Sequence, residues 1–279
     1  MGVLRIDLAA VTVSALPEWS SFPKADGAAW YQAIAAAGFG GIQSADPAAC
    51  RTAGLDPTAG GRVDRPAEAY DLARHWQDAG FSCATLHAGT GLEDDATAIR
   101  LAESIVEAVR RTGFPLFLET HRATITQDMW RTVQLVRHLP DLRFNADLSH
   151  WYTGQEMRYG GKPITPILDF IQPVLDRIGF FHGRLGNGGS MQIAIDPQRD
   201  ADSVHLKHWQ EIWSRAFRAV RANTPPSQVV PLAIELLPAA NYYARTFPGP
   251  DGILREESDR WQQALVIKSL AERWWAATA

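Results

Sequence analysis

Phe144-Asn145-Ala146-Asp147-Leu148-Ser149-His150-Trp151 starts apolar and ends with an acid, a hydroxyl and an imidazole close together. The pattern predicts a short β-strand whose alternation puts Asp147 and Ser149 on one face, with His150 where the strand gives way to a loop. A carboxylate at a strand end is costly unless something positive receives it. Three more apolar runs end in the same way: Leu116-Phe117-Leu118-Glu119-Thr120-His121, Phe180-Phe181-His182-Gly183-Arg184 and Leu232-Ala233-Ile234-Glu235-Leu236. Polar ends on all of these strands point to one shared site.

Outward from these runs, strands alternate with helices along the chain. Leu4 to Ala10 reads as a first strand, and Gly27 to Ala37 as a helix that Gly38 stops. Phe39 to Gln43 is a second strand, Ala48 to Ala53 an alanine-rich turn, and Leu55 to Ala59 a third strand that Pro57 weakens. A helix opens at Pro66 and closes at Gly80, before a fourth strand from Phe81 to His87. Ala98, Leu101, Ala102, Ile105, Val106 and Val109 share a helical stripe ahead of a fifth strand, Pro115 to Thr120. Met129, Val133, Val136 and Leu139 mark a helix before the sixth strand, Leu142 to Leu148. A helix from Ile164 to Arg177 leads to the seventh strand, Gly179 to Arg184, and the Leu206, Trp209, Trp213, Ala216, Phe217, Val220 stripe leads to the eighth, Val229 to Leu236. The last helix runs from Ser258 to Ala276, and the Pro/Gly/Asp-rich loop Phe247 to Gly252 reads as a flexible insert.

Strands separated by helices need crossovers, so they pair in parallel and are covered from outside. Eight such units in 279 residues predict an α/β fold, a single (β/α)8 TIM barrel spanning residues 1–279. In such a barrel the working groups sit at the C-terminal ends of the strands, where Glu119, Asp147, His182 and Glu235 all fall.

Composition agrees with a large core: 46% of residues are hydrophobic and 21% charged. A net charge of -4 offers no basic footprint, so no nucleic-acid partner is expected. Cys50 and Cys83 have neither metal nor disulfide spacing, and read as reduced packing thiols of a cytoplasmic protein. The apolar stretch Leu8 to Val13 is too short to span a membrane and has no basic segment before it, so neither secretion nor insertion is expected.

Two glutamates, an aspartate and a histidine at neighbouring strand ends would repel unless a divalent cation sat among them. Oxygen and imidazole donors without thiolates suit Mn2+ first, with Mg2+, Co2+ or Zn2+ as alternatives. The competing reading pairs Glu119 and Glu235 with arginines such as Arg122 or Arg184 and makes His182 a satisfied core histidine.

The chain resembles the xylose-isomerase-like TIM-barrel superfamily of sugar isomerases and epimerases, which also includes the endonuclease IV type of repair enzyme. The resemblance rests on Glu119 ending strand five, Asp147-x-x-His150 on strand six, His182 on strand seven and Glu235 on strand eight. It implies that Glu119, Asp147, His182 and Glu235 are metal ligands, that Glu119 and Glu235 are the acid/base pair, and that His150 and Arg184 hold substrate oxygens. The activity it implies is isomerisation or epimerisation of a ketose or related polyol through a metal-stabilised enediolate. A dehydratase or lyase of an inosose or 3-keto-glycoside is the alternative, ahead of an abasic-site endonuclease or a barrel that only binds. His182-Gly183-Arg184 spaces the arginine more closely than expected for the epimerase substrate arginine.

His87 and His121 stand where they could reach substrate, and Trp19 and Trp151 could stack on a sugar ring, with core packing or surface cover as the other role for both indoles. The Gly186 to Gly189 loop could offer N–H groups to a phosphate or carboxylate, or be an ordinary turn. His75, His138, His205 and His208 fall on helices and Lys162 on a loop, with no chemistry assigned. A small carbohydrate substrate is the expected partner, with a homo-oligomer also possible.

Overall fold

A computed structural model of the protein describes residues 2–157 and 163–279. Gly160, Gly161 and Lys162 lie outside the described residues. Eight parallel strands close into a barrel in sequence order: β1 (Val3–Ala9), β2 (Gly41–Gln43), β3 (Asp56–Val63), β4 (Ala84–Ala88), β5 (Leu116–Glu119), β6 (Phe144–Ala146), β7 (Ile178–Gly183) and β8 (Val229–Ile234). The register of β8 on β1, from Val3↔Val229 to Leu8↔Ile234, completes the ring. The helices are α1 (Gly27–Ala36), α2 (Pro47–Thr52), α3 (Glu68–Asp78), α4 (Asp95–Thr112), α5 (Met129–His138), α6 (Ser149–Gly154), α7 (Thr165–Leu175), α8 (Val204–Asn223) and α9 (Arg260–Ala276). The described residues thus form the single (β/α)8 barrel that the alternation predicts. No helix among them is long and apolar enough to cross a membrane.

Local differences from the sequence reading have local causes. Ala48 to Thr52 is not a turn but belongs to α2, with Ala53 as its C-cap, because the Asp46 side chain accepts from Ala49 N at 2.8 Å and Pro47 takes the first helical position. Pro57 does not weaken β3. Pairing of β3 with β4 begins only at Ala59↔Ala84, and the Pro57 carbonyl still accepts from Ser82 N at 3.0 Å. β6 stops at Ala146, and Ser149, His150 and Trp151 start α6, so Ser149 does not share a strand face with Asp147. Its N–H and hydroxyl both donate to Asp147 Oδ1, at 3.1 and 2.5 Å. The 247–252 stretch is not a loose loop. It joins β9 (Thr246–Pro248) to β10 (Leu254–Glu256), an antiparallel hairpin.

Most of the core lies between barrel and helices, with the α8 stripe of Trp209, Trp213, Ala216 and Phe217 fully covered. Cys83, Phe117, Phe180 and Ala233 form a separate buried cluster. Strand alternation puts Phe117 under Glu119 and Phe180 under His182, so this cluster floors the site. Close packing here requires Gly179, whose added Cβ would meet the Phe117 ring. Gly179→Ala is expected to cost about 1–3 kcal/mol in chemical denaturation, through overpacking alone.

A charged cluster lies at β1. Arg5 donates to both carboxylate oxygens of Asp7 at 2.7 Å and to Asp56 at 2.6 Å. One guanidinium thus serves two acids, and burial pushes the deeper Asp7 up to about 6. A carboxyl whose folded value is raised stabilises the fold at low pH, and that contribution is lost as pH rises through the folded value. Between pH 4 and 7, Asp7→Asn should therefore gain up to ~3 kcal/mol of stability relative to wild type. Parallel denaturation curves at several pH values read this difference directly.

Candidate active site

Glu119 ends β5, Asp147 directly follows β6, His182 lies near the end of β7, and Glu235 directly follows β8. Barrel closure brings them together. Donor atoms of Glu119, Asp147 and His182 lie within 4.8 Å of one another. His182 Nδ1 is 3.3 Å from Glu119 Oε2 and 3.6 Å from Glu235 Oε2. Glu119, His182 and Glu235 line a cavity of about 430 Å³ at the barrel mouth, together with Gln43, Ser44, Gly60, Arg62, Thr85 and His87. That volume suits a small-molecule ligand.

Each acid is held differently. Glu119 is 2% exposed, accepts from Asn145 Nδ2 at 2.9 Å and has His87 Nε2 3.3 Å from its other oxygen. Burial opposes its charge, but His182 and His87 together hold its carboxyl well below the usual range. Asp147 is likewise lowered, with burial outweighed by Arg184 and His150. The Arg184 guanidinium lies between Asp147, at 3.2 Å, and the Glu235 carboxylate, and its Nε also donates to the Glu235 carbonyl at 3.0 Å. The competing ion-pair reading therefore holds for Arg184, though Glu119 is served by imidazoles instead.

The donor set also fits a divalent ion. Asp147 Oδ2 and His182 Nδ1 are buried without a hydrogen-bond partner. Three carboxylates against one guanidinium leave two negative charges, which one divalent cation balances when His182 is neutral. Without it, His182 supplies a proton: burial alone would lower its value, but Glu119 and Glu235 raise it to about 9.

Beside this cluster three imidazoles stack: His121 lies 4.1 Å from His87 and 3.8 Å from His150, between ring centroids. Burial pushes His121 down to about 4 and His150 to about 3. Both are neutral near pH 7, and neither ring nitrogen of His150 has a hydrogen-bond partner. His87, Glu119 and His121 form a second group with donor atoms within 4.8 Å of one another.

The two tryptophans do not join the site. Trp151 is fully buried and donates from Nε1 to Thr126 O at 2.9 Å, because the first turn of α6 points it into the core. Trp19 is 49% exposed in the loop after β1 and does not line the cavity. In the 186–189 loop Asn187 N donates to Ser190 O at 2.7 Å, and Gly189 N and Ser190 N donate to Asn187 Oδ1 at 2.9 and 2.8 Å. Sequence reading missed Gln43, Asn145 and Tyr243. Tyr243 packs against the guanidinium groups of Arg184 and Arg122, at 4.6 and 4.9 Å from its ring centre. It lies in the segment after β8 and carries no local motif.

No family model matches the chain, and no curated protein matches it in sequence. Solved structures do. A xylose isomerase-like TIM barrel protein from Mycobacterium smegmatis, in complex with magnesium, is 12% identical with a TM-score of 0.58, covering 99% of this chain and 98% of that one. A D-psicose 3-epimerase with D-tagatose, from Clostridium cellulolyticum H10, is 12% identical at TM-score 0.55, with coverage of 97% and 99%. A probable 3-DHS dehydratase from Bacillus anthracis is 13% identical at 0.59, with coverage of 96% and 99%. At these identities the likeness is one of architecture, and the chain has the fold of the xylose isomerase-like TIM barrels.

Proposed function

We propose that the protein is a divalent-metal-dependent isomerase or epimerase of a ketose or related polyol, with Glu119 and Glu235 as its acid/base pair. The observation that carries this reading is the clustering of Glu119, Asp147, His182 and Glu235, three of which, Glu119, His182 and Glu235, line a sugar-sized cavity. The likeness to an epimerase seen with D-tagatose supports a small carbohydrate as substrate. Oxygen-rich donors with one imidazole favour Mn2+, with Mg2+, Co2+ or Zn2+ as alternatives.

When bound, the ion would polarise a substrate carbonyl and stabilise the enediolate left by loss of the adjacent proton. Glu119 and Glu235 both approach His182 Nδ1, and one carboxylate would remove that proton and the other return it. Asn145 and His87 fix the Glu119 carboxylate. Arg184 Nη1 is buried without a partner, which leaves a donor group for a substrate oxygen. His87, on the cavity wall, and the neutral His121 and His150 stacked behind it would receive further hydroxyls.

Elimination is the second reading, and the asymmetry of the two acids favours it. Arg184 pairs with Glu235 but not with Glu119, an arrangement suited to one base and one separate acid. Incubation with keto-sugars in heavy water distinguishes the two. Deuterium retained in an unchanged skeleton supports isomerisation, an unsaturated product supports a dehydratase or lyase, and no exchange with any keto-sugar in the presence of Mn2+ contradicts both.

A further inference from the structure

One buried hydrogen bond links His182 to a residue from the far side of the barrel. Gln43 ends β2, is 4% exposed, and its Oε1 lies 2.8 Å from His182 Nε2 on β7. Its amide nitrogen faces two acceptors, Thr85 Oγ1 at 2.9 Å and the Ala59 carbonyl at 3.4 Å. A carbonyl only accepts, so the Gln43 NH2 group belongs on that side and its oxygen must face the imidazole. The imidazole therefore donates from Nε2. The other nitrogen, Nδ1, is the one aimed at Glu119 and Glu235.

We propose that Gln43 is a positioning residue for His182: by accepting the Nε2 proton it fixes the ring and presents Nδ1 to the ion that Glu119, Asp147 and Glu235 would hold. The ion itself rests on the functional reading above; the hydrogen bond does not. The side-chain hydrogen bonds of Gln43 go to Ala59, Thr85 and His182, so its link to the cluster runs through the imidazole. Its own neighbourhood is built to hold it still. Ser44, the next residue, has a φ of 62°, a conformation costly for a residue with a side chain, and the turn it makes ends β2 at the cavity wall. Partners of this kind on a ligating histidine typically change metal affinity by about 10–100-fold.

The test compares wild type with Gln43→Met, which keeps length but removes the acceptor, and Gln43→Glu, which keeps an acceptor. Calorimetric titration with Mn2+ should show affinity about 10–100-fold weaker for Gln43→Met and largely retained for Gln43→Glu. Equal thermal midpoints of the metal-free proteins would establish that Gln43→Met folds. In the 15N spectrum of the Zn2+-loaded wild type, the His182 proton should reside on Nε2. In the metal-free wild type that proton should exchange slowly, and it should exchange fast in Gln43→Met. Wild-type Mn2+ affinity in Gln43→Met, or a proton on Nδ1 of the loaded protein, would overturn the proposal. Failure of wild type to bind either ion, with the slow Nε2 proton still present, would instead remove the metal reading and leave Gln43 as the anchor of the ring.

Discussion

Glu119→Gln is expected to lower turnover by at least about 10²–10⁴-fold, the range that a positioned acid/base group contributes. The barrel should remain folded. Glutamine keeps the size of the side chain and an oxygen to accept from Asn145 Nδ2, now 2.9 Å from Oε2. What it removes is the basic oxygen pair on which His87 and His182 converge. A loss in kcat with unchanged far-ultraviolet circular dichroism and thermal midpoint is the expected result, with Glu235→Gln giving a loss of the same kind. Full activity in both variants would contradict the two-carboxylate chemistry.

Arg184→Met should have the second largest effect, this time on stability. Arg184 is 1% exposed and is the cation between Asp147 and Glu235. Removing one member of a buried charged group leaves its partners uncompensated, which typically costs about 3–5 kcal/mol. A bound divalent ion would replace the missing charge. The cost should therefore appear in full with a chelator present and shrink when Mn2+ is added, because the cation should bind more tightly, and so stabilise more, where no guanidinium competes for the acids. Urea denaturation of both proteins with and without Mn2+ measures this. A loss that is unchanged by Mn2+ would mean that Arg184 supports packing alone.

The barrel was legible in the sequence because parallel strands and their covering helices impose different periods, and the α8 stripe of Trp209, Trp213 and Phe217 is a plain case. Strand limits were harder to read. Asp147 and Glu235 follow apolar runs without a break in pattern, yet each falls one position beyond the end of its strand. At Ser149 a helical turn replaces the expected strand, since the Asp147 carboxylate accepts both Ser149 donors and so starts α6. Two-residue alternation cannot foresee that bond.

The site was legible only for residues that end apolar runs. Glu119, Asp147, His182 and Glu235 announce themselves as polar groups where burial is expected. Gln43 ends a strand too, but a neutral amide there raises no electrostatic question, and its partner is 139 residues away. Trp151, placed after strand six, allowed either stacking on a sugar or core packing, and the first turn of α6 decides for packing by sending the indole to Thr126 in the core. Contacts across the barrel are set by closure of β8 on β1, which no local pattern encodes.

Anomalous diffraction at the manganese edge, from crystals grown with Mn2+, tests the central claim most directly. The account predicts one peak about 2 Å from oxygens of Glu119, Asp147 and Glu235 and from His182 Nδ1, with Arg184 displaced from between the acids. A cluster left without a peak, with Arg184 still bridging Asp147 and Glu235 at saturating Mn2+, would contradict it.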